Sequence, residues 1–271
     1  MSQSGTTGAT IVNPLVERLR SGGIGLSLMI KHARTVDIAL AAKTCGFDAL
    51  YFDLQHSTVP EDAVAQISAA AVQAGITPLV RIPEGGYGTA LRLLDGGALG
   101  IVVPDLSTAE QARVAVSYCK FAPLGNRSNA GRYPQFAYRA IPAVQTREAL
   151  NDNTLLIVMI ESQAALENVE EIAAVPGVDI VHIGSSDLSA DFGVPGQNTH
   201  PKVLAALLDA GVARERPFFH EAAEVSWADK SSWSGSTRSA GATRRGSSTP
   251  PGSASRLSPR LRRSHWCSAR P

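Results

Sequence analysis

Four short stretches of this sequence carry the side chains that catalysis on a small polar molecule would need: Asp53-Leu54-Gln55-His56, Arg81, Glu161 and Gly184-Ser185-Ser186-Asp187. Glu161 and Asp187 offer hard oxygen ligands. With waters and a bidentate substrate they could complete an octahedral site for Mg²⁺, Mn²⁺ or Co²⁺. The plainer alternative is a pair of acids at helix N-termini, where the helix dipole favours negative charge. Arg81 presents a planar fork of donors to a carboxylate or a developing enolate oxygen; as a rim salt bridge it would do neither. Asp53 and His56 make a short acid–imidazole spacing, in which the carboxylate could orient the ring and raise its basicity for work as a general base. Lysine would open a second route to carbon–carbon chemistry, through a Schiff base. Of Lys31, Lys43, Lys120, Lys202 and Lys230, only Lys31 ends a predicted strand. His182 falls inside a predicted strand and reads as a barrel-interior or back-face histidine.

What these residues share is position: each follows a short apolar run. From residue 22 such runs alternate with amphipathic stretches, the pattern of βαβ units and a parallel sheet. Strands are predicted over 23–30, 49–54, 77–82, 99–103, 155–160 and 179–183. Between them lie helices over 36–43, 60–75, 88–95, 107–118 and 164–174, and a sixth over 201–214 follows the last strand. Pro60 fits the first turn of its helix, where a missing N–H costs nothing, and Gly75 is its expected C-cap. Ser107 and Glu110 have capping-box spacing. The polar segment 123–153, with Arg127, Arg132, Tyr133 and Tyr138, is too long for an ordinary connection and predicts an elaborated loop with short helices. Right-handed crossovers wind six such units one way around a TIM-type (β/α)₈ barrel. In that fold functional groups lie at the C-terminal ends of the strands, where the candidates fall. Units 7 and 8 are missing or replaced, which would leave the first and sixth strands as open edges.

Composition explains that shortfall. The chain has 271 residues, 44% hydrophobic and 18% charged, enough apolar side chain for a sizeable core. No apolar run approaches the ~18 residues of a membrane span, and the start lacks the basic and apolar regions of a signal peptide. A cytoplasmic protein is expected, with residues 1–21 as an irregular lead-in. Cys45, Cys119 and Cys267 are odd in number and lack CxxC spacing, which points away from a disulfide framework and a thiolate zinc site. The net charge of +1 conceals an asymmetry, because residues 226–271 hold eight Arg and one Lys against a lone Asp. That segment has thirteen Ser, and only Leu257 and Leu261 from the large aliphatic set. It cannot bury enough apolar surface to offset its ordering entropy. The domains read as lead-in 1–21, barrel 22–214 and a tail 215–271 expected to be disordered. Its arginines fit no recognisable nucleic-acid module.

At these motifs the sequence resembles the HpcH/HpaI aldolase family, related to the citrate lyase β-subunit group. Carrying the resemblance, in order, are Gly46-Phe47-Asp48 with Asp53 and His56, Pro78-Leu79-Val80-Arg81, Leu94-Asp95-Gly96-Gly97-Ala98-Leu99-Gly100 with Val103-Pro104, Pro123-Leu124-Gly125-Asn126-Arg127, Ile160-Glu161-Ser162 with Asn168, and Ile183-Gly184-Ser185-Ser186-Asp187-Leu188. The resemblance implies a class II, divalent-metal aldolase that makes and cleaves 4-hydroxy-2-oxo acids from pyruvate, as its enolate, and an aldehyde. It implies Glu161 and Asp187 as metal ligands, with Arg81 stabilising the enolate. It also implies His56 with Asp53 as the acid–base pair, and the backbone N–H groups of Ser186 and Asp187 as receivers of the substrate carboxylate. A homo-oligomer is implied as well, with neither nucleic acid nor membrane as partner. Gln55 stands where the family often has Glu, and Ser185 where it usually has Pro. Past residue 214 the pattern stops, and the composition is that of a GC-rich gene read in another frame, with the break expected near residues 212–225. The competing readings are a CoA-thioester lyase of the malyl or citramalyl type and a catalytically defective, truncated barrel.

Overall fold

The computed structural model describes residues 10–210 and the backbone of 218–220 and 224–226. All belong to one compact unit, Met1–Ser232. Six parallel strands form in chain order: β1 (Ile24–Ile30), β2 (Ala49–Asp53), β3 (Thr77–Arg81), β4 (Gly100–Val103), β5 (Leu155–Ile160) and β6 (Ile180–Ile183). Two short strands complete the ring. β7 (Phe218–His220) runs parallel to β6, and β8 (Glu224–Ser226) runs antiparallel to both β7 and β1. The expected open edges are therefore closed, by a replacement for units 7 and 8 in which the eighth strand runs backwards.

Period-two alternation along each strand sorts the side chains into two cores. Ala49, Tyr51, Leu79, Val102, Leu155, Ile157, Met159 and Ile180 face inward and pack together. Leu50, Phe52, Val80, Ile101, Val158 and Val181 face outward, into a second core shared with the helices. These are α2 (Asp37–Thr44), α3 (Glu61–Ala74), α4 (Tyr87–Asp95), α5 (Ala109–Cys119), α6 (Ala143–Asn153), α7 (Gln163–Glu167), α8 (Val169–Ala174), α9 (Ser185–Asp191) and α10 (Pro201–Asp209). Gly100 is required by close approach, since a Cβ there would collide with Leu79 Cδ2.

Three helical features depart from expectation. Part of the lead-in is ordered: α1 (Pro14–Arg20) buries Leu15, Val16 and Leu19 against the inward core and so plugs the barrel floor. Its N-cap Asn13 accepts from the Thr77 hydroxyl at 2.7 Å and donates to Asn153 O at 2.7 Å. The capping box of α5 is Thr108 with Gln111, one residue beyond the expected Ser107 and Glu110. Helix α9, directly after β6, has no counterpart in the sequence reading. Segment 123–153 does carry short helices, a 3₁₀ turn at Pro134–Phe136 and α6, but it connects α5 to β5 and so lies at the floor. Arg127 there is buried and pairs with Asp95 at 2.8 Å. Gly75 is left-handed at the end of α3, as expected. The predicted end of the sixth helix, the first nine residues, Cys267 and nearly all of the 215–271 tail lie outside the described residues.

Candidate active site

The inward alternation of β2, β3 and β5 ends in Asp53, Arg81 and Glu161, so an apolar barrel interior gives way to a polar layer at the mouth. Strand register then decides the contacts. Asp53 and Arg81 are direct neighbours across β2 and β3. The guanidinium donates through Nε to Asp53 Oδ1 at 3.0 Å and through Nη2 to Oδ2 at 2.8 Å. Both side chains are buried. The Asp53 carboxylate also accepts from the backbone N–H of Gln55 and of His56, each at 3.1 Å, and pairs with Lys31 Nζ at 3.2 Å. Burial alone would raise its pKa, but the Arg81 hydrogen bonds, the His56 N–H and the Arg81 and Lys31 cations outweigh it and hold the carboxyl at about 2.

Asp53 therefore does not bond the His56 ring, as the sequence spacing had suggested. It grips Arg81 and the backbone of the loop instead, and the His56 side chain is exposed at the mouth. Lys31, the Schiff-base candidate, is tied to the same carboxylate. His182 lies in the barrel interior, 1% exposed, with its ring edge-on to Tyr51 at 6.2 Å.

Glu161 occupies the other side of the mouth. Gly184 leaves it room, since a Cβ at that position would stand 2.5 Å from Glu161 Cγ. The backbone N–H of Asp105 donates to Glu161 Oε2 at 2.8 Å. Asp187 lies in the first turn of α9, where N–H groups lack intrahelical partners. Gln163 braces α9 by donating to Asp191 Oδ2 through its N–H at 2.7 Å and to Asp191 O through its amide at 2.8 Å. The Glu161 pKa is raised, first by burial; the Asp105 N–H works against the rise, the Asp187 charge adds to it, and Arg81 opposes it. A buried carboxylate pushed toward protonation by burial and by a second carboxylate is stabilised by any cation the two share. Glu161 and Asp187 therefore fit a divalent metal. Among the described residues no cluster of three or more His, Cys, Asp or Glu forms a closed cage. Two carboxylates leave the other positions to water and substrate, as Mg²⁺ sites commonly do.

Sequence reasoning missed Asp105. It lies two residues past the end of β4 at Val103, so a reading of strand termini carried two residues further would have found it.

These residues fall within residues 27–225, which match the HpcH/HpaI aldolase/citrate lyase family profile. The match runs past residue 214, where the sequence reading had ended it, and includes β7 and most of β8. The chain is 40% identical over 187 residues to a 4-hydroxy-4-methyl-2-oxoglutarate aldolase of Chaetomium globosum, covering 68% of this chain and 70% of that protein. It is 39% identical over 195 residues to a hydroxypyruvate/pyruvate aldolase of Sagittula stellata, covering 70% and 74% respectively. Its fold superposes on the crystal structure of an HpcH/HpaI aldolase from Desulfitobacterium hafniense with a TM-score of 0.71 and 30% identity, over 77% of this chain and 82% of that one. With strand-end chemistry, barrel and relatives in agreement, the chain belongs to the HpcH/HpaI aldolase/citrate lyase family.

Proposed function

We propose that this protein is a divalent-metal aldolase that cleaves 4-hydroxy-2-oxo acids to pyruvate and an aldehyde, and forms them in reverse. The observation that carries the reading is a buried guanidinium, fixed by two hydrogen bonds to Asp53, at the same barrel mouth as the Glu161 and Asp187 carboxylates. Glu161 and Asp187 would hold Mg²⁺, Mn²⁺ or Co²⁺. The cation supplies Lewis-acid polarisation of the 2-oxo group. Arg81 commits part of its donor fork to Asp53 and offers the rest to the oxygen on which enolate charge develops. Being held beforehand, it needs no reorganisation during reaction.

His56 is the exposed base of the mouth and takes the proton of the 4-hydroxyl. The freed oxygen electrons then form the aldehyde C=O at C4 as the C3–C4 bond breaks. That bond's electron pair becomes the C2=C3 bond of the enolate and displaces the carbonyl pair onto the 2-oxo oxygen, and the proton returned to C3 yields pyruvate. The first-turn N–H groups of Ser186 and Asp187 suit the substrate carboxylate, as helix N-termini suit anions. Asp53 serves as the positioning group for Arg81. No helix among the described residues is long and apolar enough to cross a membrane.

A panel of 4-hydroxy-2-oxo acids, with pyruvate release followed by coupled reduction to lactate, tests the reading. Metal-dependent release from one or more of them supports it. Cleavage of malyl- or citramalyl-CoA with no release from any of the free acids would overturn it.

A further inference from the structure

Three non-glycine residues among those described have left-handed backbone: Asp105, Ala137 and Tyr138. The last two belong to the segment at the barrel floor. Asp105, with φ of 54°, stands at the mouth between buried Pro104 and buried Leu106, with its own side chain exposed. Left-handed backbone is costly for most side chains, and Asn and Asp tolerate it best after glycine. Here the conformation has a visible consequence, because it aims the Asp105 N–H at Glu161 Oε2, 2.8 Å away. The loop that carries it is braced from two sides. Asn168 Nδ2 donates to Ser107 O at 2.9 Å, and the hydroxyls of Ser107 and Ser162 meet at 3.4 Å. Opposite this N–H, Gly184 removes the side chain that would push Glu161 away.

We propose that Asp105 is a positioning residue for the metal site: its left-handed backbone, rather than its carboxylate, fixes the orientation in which Glu161 meets the cation. This rests on the reading of Glu161 as a metal ligand. The exposed carboxylate of Asp105 lies close enough to act on Glu161 electrostatically, so charge and backbone have to be separated by experiment. Four substitutions do so. Asp105→Asn and Asp105→Gly keep the left-handed conformation and delete the charge. Asp105→Val, with its branched Cβ, and Asp105→Ala delete the charge and disfavour the conformation as well.

The experiment is a Mn²⁺ titration of the full chain near neutral pH, with free Mn²⁺ read by electron paramagnetic resonance, on these four variants and on Glu161→Ala. Loss of a group that orients a metal ligand typically weakens metal affinity about 10- to 100-fold. The expected result is a rise of that size in the Mn²⁺ Kd for Asp105→Val and Asp105→Ala, with Asp105→Asn and Asp105→Gly close to the parent protein. Should the valine variant not fold, the alanine variant carries the same contrast. Equal weakening in Asp105→Asn would overturn the proposal by assigning the effect to the carboxylate, and unchanged affinity in Asp105→Ala would overturn it outright. Unchanged Mn²⁺ binding in Glu161→Ala would instead remove the metal-ligand reading on which it stands.

Discussion

Arg81 illustrates how a single side chain can be legible in type and hidden in setting. Its place at the end of an apolar run marked it as a mouth residue, and its planar fork suggested an enolate or carboxylate partner. Its pairing with Asp53 was not legible, because cross-strand register depends on how β2 and β3 align and no local spacing records it. Asp53 was accordingly assigned to the nearer His56. In Arg81→Lys the ammonium cannot reproduce the bidentate fork, so kcat is expected to fall about 100-fold or more, as on removal of an oxyanion donor. Steady-state kinetics would check this, and near-normal turnover would place the charge stabilisation elsewhere.

Asp53 adds a pH signature. Its folded pKa, about 2, lies below the ordinary 3.8, so its stabilising contribution is present above the ordinary value and is lost as pH falls from 3.8 through about 2. Asp53→Asn is expected to be less stable than the parent at neutral pH, with the gap closing through that acid window. Urea denaturation at a series of pH values would read it, and a gap that stayed constant would show that the carboxyl is not held low.

At the scale of elements, the strands were the legible part. Six apolar runs became six parallel strands with ends close to those expected; β2 to β6 are buried on both faces, which leaves a continuous hydrophobic signature, while β1 is buried only at alternate positions for much of its length. The helices that depart from expectation share a physical reason, since each depends on tertiary contacts more than on periodicity. Helix α1 is seven residues long, and its apolar face makes sense only against a barrel floor. Helix α9, also seven residues, reads in sequence as a Ser-rich loop. Removing the plug tests the first of these: Leu19→Ala deletes a fully buried side chain and is expected to cost about 2–5 kcal/mol of stability. The candidate site is far from the floor, so kcat per folded molecule should hold. Denaturation and kinetics on the same preparation would separate the two, and lost turnover at full stability would contradict the assignment of α1 as a plug.

For the whole molecule, the informative region is the ring closure. Composition announced that the seventh and eighth units would be abnormal but not what would stand in their place, because three-residue strands carry too little pattern to be read. Large apolar side chains are exposed on two of the described elements. On β1 Ile24 is 48% and Leu26 41% exposed, and on α10 Leu204 is 44% and Leu208 65% exposed. Leu204 and Leu208 stand one turn apart on α10, and an exposed apolar face favours association, so Leu204→Glu with Leu208→Glu is expected to raise the concentration at which light scattering detects assemblies; no change would mean that this face is not what associates. The central claim is that the mouth formed by Asp53, Arg81, Glu161 and Asp187 generates a pyruvate enolate with the help of a divalent metal. The most direct measurement is exchange of the pyruvate methyl protons for deuterium, followed by proton NMR without any aldehyde present, after EDTA treatment and after Mg²⁺ is restored. The account predicts no exchange in the stripped protein, recovery with Mg²⁺, and loss again in Arg81→Ala. Exchange that persists in EDTA and is abolished by borohydride together with pyruvate would contradict it and move the chemistry to Lys31.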